Sequence, residues 1–113
     1  MAKNVAVIIQ EDPRKTHRPV EALRIALGLV AGTHITTVIL LGGATRLLFE
    51  DIDDIIDIDI LEKYLPAIEQ LEMPFVLEAA TDRSRVRSGF LVHYESDDHI
   101  CSLIQSMDRT LVF

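Results

Sequence analysis

The order of its apolar segments predicts an α/β protein: a three-layer α/β/α sandwich around a mainly parallel sheet of five strands. Three observations carry this. Short β-branched runs alternate with stretches of helical periodicity along the whole chain, the pattern of strands joined by crossover helices. The first run, Val5-Ala-Val-Ile-Ile9, is apolar at every position, as in a strand covered on both faces. The last quarter, GFLVHYESDDHICSLIQSMDRTLVF, reads as strand, capped helix and strand.

In chain order, residues 4–10 form the first strand. A polar stretch, QEDPRKTHRP, follows, and Pro19, whose missing N–H is no loss in a first turn, opens a helix over 20–30. Only Glu21 and Arg24 are charged there, so the helix needs burial on more than one face, and in a small chain that points to a subunit interface. Gly32 ends it. The second strand spans 35–41, closed by Gly42-Gly43, and 44–49 is a short helix. Leu65, Ile68 and Leu71 are spaced for the inner face of a helix over 62–72, with Pro66 near its first turn. Strands follow at 74–80 and 89–94. Ser96 then stands at a helix N-cap, Asp97 and Asp98 meet the positive end of the dipole, and Ile100, Leu103, Ile104 and Met107 form one apolar stripe. Leu111, Val112 and Phe113 make the final strand, expected buried inside the sheet.

Composition narrows the class. The chain has 113 residues, 49% of them apolar, with no Trp. That is enough for one domain, 1–113, with an aliphatic core. A net charge of −7 argues against a nucleic-acid partner, because phosphate contacts need a basic field. One cysteine cannot close an internal disulfide and suits a reducing, cytoplasmic setting. The N-terminal apolar run meets acids at once, which is neither a signal peptide nor a membrane span. GxGxxG, Walker A and nucleophile-elbow motifs are absent, so no cofactor is expected.

The segments fall in a telling order: the 4–10 strand, a Pro-containing loop, an apolar helix, a strand at 38–43 and the closing SDDHICSLIQSMDRTLVF. In that order the chain resembles the DsrE/DsrF-like family of small α/β proteins, flavodoxin-like in outline. The resemblance implies a place in intracellular sulfur relay and a homo-oligomer, trimer or hexamer, or a hetero-oligomer with related subunits, with a sulfur-carrier protein as a further partner. Some members carry persulfide sulfur on a cysteine near the end of the third strand. Here that neighbourhood reads Pro74-Phe-Val-Leu-Glu-Ala-Ala80, without a cysteine. A non-catalytic, partner-docking role is the expectation that follows.

Two other chemistries compete with it. Cys101 is the only thiol and could carry a persulfide. Asp97 and Asp98 oppose a thiolate, however, and its place beside Ile100 and Ile104 predicts a half-buried site that a donor cannot reach. Cations also gather where strands should end: Arg14, Lys15 and Arg18 after the first, Arg46 after the second, and Arg83, Arg85 and Arg87 after the third. Ligands bind at the carboxyl edge of such sheets, so these residues, with His93 at the end of the fourth strand, could hold an anion. The acidic run over 50–59 fails as a calcium loop, because Ile56 replaces the required glycine and Ile55 a ligand. It reads as a solvated rim whose isoleucines fit either a helix face or a strand. His17, His34, His93 and His99 show no metal-ligand spacing, and no metal site is expected.

Overall fold

A computed structural model describes residues 2–50 and 52–113. The β-branched run becomes β1 (Asn4–Ile9), and its period-two alternation sends Val5, Val7 and Ile9 to one face and Ala6 and Ile8 to the other. β2 (Ile35–Leu40), β3 (Phe75–Glu78), β4 (Val92–Glu95) and β5 (Arg109–Val112) complete a sheet of order β4-β3-β2-β1-β5. Every pairing is parallel. Helices lie on both faces, as the three-layer α/β/α expectation requires.

The first face carries most of the helical mass. α1 (Arg18–Ala31) has Pro19 in its first turn and Gly32 at its C-cap. The chain then turns through Thr33, whose φ of 70° is unusual for a β-branched residue. Val20, Leu23 and Ala26 pack on Val5, Val7 and Ile9, beside Leu47 and Leu48 of a 3-10 helix (Gly42–Leu48) and Leu61, Leu65 and Ile68 of α2 (Ile58–Leu71). Phe75 closes this core, fully buried, with its ring edge-on to Phe90 at 6.2 Å. The opposite face has one helix, α3 (Asp97–Ser106). Ile100 packs on Ala6, Ile8, Ile39 and Val76, with Leu103, Ile104 and Met107 at the margin. As its sequence indicates, Ser96 caps this helix, its Oγ accepting from the His99 N–H at 3.3 Å.

Several elements differ from the sequence reading. β5 is an edge strand rather than an interior one: it pairs only with β1, and Leu111 and Val112 are 37% and 52% exposed. Apolar character alone cannot tell an edge from a centre. α2 begins at Ile58, within the acidic run, so Pro66 is interior and the Glu62 carbonyl has no N–H four residues on. The run thereby resolves as helix, not strand, from Ile58 onward; Asp51 lies outside the described residues. The 44–49 helix is a 3-10 helix starting at Gly42. β4 starts three residues late, because Gly89 turns the chain with φ 92°. No α1 residue is among the exposed large hydrophobics, but Ile25, Leu27, Leu29 and Val30 stay partly exposed beyond what the sheet, α2 and the 3-10 helix cover.

Candidate functional site

The carboxyl edge of the sheet is assembled from the loops after β1, β2 and β3. At the end of β3 stands Glu78. Its Oε1 accepts from the Gly42 N–H at 2.8 Å, an approach that the left-handed turn at Gly42, φ 56°, makes possible. Small cavities flank this carboxylate. One, of about 240 Å³, is shared with Gly42, Thr45, Phe49, Ala80 and Thr81. The other, of about 230 Å³, is shared with Glu95, Ser96 and Asp97. No thiol lines either cavity, and the second is rimmed by acids.

The cations do not converge there. Arg14 is clamped to Asp12, donating from its backbone N–H at 2.9 Å and from Nη2 at 2.7 Å. The side-chain hydrogen bonds from Arg14, then its backbone N–H and the charges of Arg14 and Arg46, hold the Asp12 carboxyl at about 2. Arg46 adds only its charge to that field and makes no ion pair among the described residues. Arg18 pairs with Glu11 at 3.5 Å and lies 6.0 Å over the Phe113 ring. Arg83 sits 4.2 Å over Tyr94 and Arg85 4.6 Å over Phe49, stacked cations that cover aromatic surface. Lys15 is exposed. Arg87 lies apart, in a cleft against α2. His93 points to the α3 face, into a cavity of about 510 Å³ with Thr37, Val76, Glu95, His99 and Leu103.

Cys101 is exposed on α3, not half-buried as its neighbours in sequence suggested. Ile100 and Ile104 form the inner stripe, and position 101 is turned about 100° from position 100, which carries it off the sheet. It lines none of these cavities. The sequence reading also missed a pair: His99 Nδ1 stands 3.1 Å from Glu95 Oε2 across the α3 cap. The four-residue spacing of Glu95 and His99 is a signal that could have found it. Among the described residues, no group of three or more His, Cys, Asp or Glu is placed to hold a metal ion, and no helix is long and apolar enough to cross a membrane.

No family model and no curated protein matches the sequence. Among solved structures, that of the ychN protein from E. coli is similar at a TM-score of 0.76 and 15% identity, covering 100% of both chains. At that identity the likeness shows the α/β fold alone.

Proposed function

We propose that this protein is a DsrE/DsrF-like subunit of intracellular sulfur metabolism that docks its partners and does not carry sulfur at its strand-end site. One observation carries the reading. Where relatives of this type would present a cysteine, β3 ends in Glu78, with its carboxylate seated on the Gly42 N–H. A carboxylate cannot form a persulfide, and its charge disfavours a thiolate approaching from a partner. A docking role is supported by the α3 face, where Ile35, Leu91 and Val112 are 62%, 44% and 52% exposed. Strand alternation puts all three on the side that α3 only partly covers. A homo-oligomer, trimer or hexamer, is the assembly this reading expects.

The exposure of Cys101 favours a second reading, a persulfide carried on α3. Incubation with a persulfide donor followed by intact mass separates the two. The docking subunit shows no stoichiometric sulfur gain. A gain of one sulfur per chain, abolished in Cys101→Ser, makes the protein a carrier instead.

A further inference from the structure

We propose that the open edge of β5 pairs antiparallel with β5 of a second copy of this chain, a contact independent of the sulfur-relay reading and of the α3 face. The two borders of the sheet are finished differently. β4 carries His93 and Glu95, and Arg83 lies 4.2 Å over the Tyr94 ring, so charge and a stacked side chain blunt that border. β5 reads Arg109-Thr-Leu-Val112, with its one charge at the first residue, and every residue in it is exposed. Its register with β1 runs unbroken from Arg109 to Val112. Neither a proline nor a bulge protects this edge, and an edge left so is a template for another strand.

The backbone selects one register. Phe113 N–H donates to the Ile8 carbonyl and the Phe113 carbonyl accepts from the Gln10 N–H, both at 2.8 Å. Leu111, level with Val7, faces β1 in the same way, because backbone groups alternate in direction along a strand. Thr110 and Val112 therefore turn their N–H and C=O groups outward. In a two-fold antiparallel pair, a centre at Leu111 sets Thr110 against Val112 of the second copy and satisfies both residues. A centre at Thr110 or at Val112 satisfies only that residue within the strand. The side chains agree with the Leu111 centre. On the α1 face Leu111 meets its own copy, and Arg109 stands opposite Phe113, a cation against an aromatic ring. Within its own chain the Arg109 guanidinium donates to the Asp108 carbonyl at 3.0 Å and, among the described residues, enters no ion pair. On the α3 face Thr110 meets the β-branched Val112. A strand of 4 residues buries less than a stable interface needs, so the edges join at high protein concentration or between chains already associated.

Cysteine cross-linking reads this register directly. In the Cys101→Ser chain at high protein concentration, Leu111→Cys and Val112→Cys are each treated with oxidised glutathione and followed on non-reducing gels. At the axis the two Leu111→Cys positions form a non-hydrogen-bonded pair about 4.5 Å apart at Cα, within the span of a disulfide. Two Val112→Cys positions lie on a diagonal about 7–8 Å apart, beyond it. Leu111→Cys should therefore dimerise about tenfold faster than Val112→Cys, or more. Thr110→Cys mixed with Val112→Cys, both at exposed positions, should link to each other and neither to itself, which carries the test should Leu111→Cys fail to fold. The same order should hold in an Ile35→Asp, Leu91→Asp background, where the α3 face no longer associates. Equal rates at positions 111 and 112, or a faster Val112→Cys, overturn the proposal. So does the absence of any linked dimer, which leaves the edge to an extended segment of another protein. An order lost in the Ile35→Asp, Leu91→Asp background overturns the edge as a contact of its own.

Discussion

The two faces of the sheet are built from the same strands but are covered very differently. On one face α1, α2 and the 3-10 helix bury Val7, Ile9, Leu23, Leu40, Leu47, Leu61, Ile68, Phe75 and Leu77 completely. On the other, a single ten-residue helix covers Ala6, Ile8, Ile39 and Val76. Five strands at a spacing of about 4.8 Å span roughly twice the width of one helix. α3 therefore leaves apolar strand surface on both flanks, at Leu91 toward β4 and Val112 toward β5. The physical origin is the β3–β4 connection, which turns through a short 3-10 segment (Arg83–Arg85) where a crossover would ordinarily add a helix. One face holds the fold together; the other keeps apolar surface exposed.

The largest difference between the faces should appear in core truncations. Phe75→Ala removes a fully buried ring and its edge contact to Phe90, and should cost about 3–5 kcal/mol. Ile100→Ala beneath α3 should cost nearer ~2 kcal/mol, because the lone helix can settle onto the sheet. Denaturant unfolding of both variants measures the gap, and equal losses would break the asymmetry. Next comes the α3 cap. Ser96→Ala should cost about 1 kcal/mol and, by amide exchange, loosen α3 while leaving α1 protected.

These energetics were legible in the sequence to different degrees. The strand order of events, the α1 and α3 helices and the Ser96 cap follow from local signals: β-branched runs, apolar spacing and a serine ahead of two acids. The edge position of β5 does not, because Leu-Val-Phe is equally apolar in a central strand and at a border. Pro66 misled for the opposite reason: proline usually marks a first turn, but here packing of Leu61, Leu65 and Ile68 outweighs one lost hydrogen bond. The candidate site was least legible. Seven cations follow strand ends in the sequence, yet four of the arginines are taken up by an acid or an aromatic ring: Arg14 by Asp12, Arg18 by Glu11, Arg83 by Tyr94 and Arg85 by Phe49. Only three-dimensional packing reveals that pairing. Cys101 was misjudged because adjacency to Ile100 was read as a shared face, although neighbours in a helix diverge.

The Asp12–Arg14 clamp provides a smaller test at the strand-end loops. The Asp12 carboxyl is lowered from 3.8 to about 2, so its contribution is complete above the ordinary carboxylate value and disappears as pH falls through about 2. The Arg14 side chain is 39% exposed, and solvent screening keeps the effect small. Asp12→Asn should therefore lower the melting temperature slightly at neutral pH, and by progressively less as pH falls through about 2. A difference that persists or grows on acidification would show that the clamp is not what stabilises this loop.

The central claim is that the half-covered α3 face is completed by another subunit. Sedimentation velocity of the parent and of an Ile35→Asp, Leu91→Asp double variant tests it most directly. Both residues are exposed within the chain, so their loss should change single-chain stability by no more than about 0.5 kcal/mol each. The parent should sediment as an oligomer at micromolar concentration and the variant as a folded single chain of 12.7 kDa. A parent that sediments at the single-chain mass would contradict the claim.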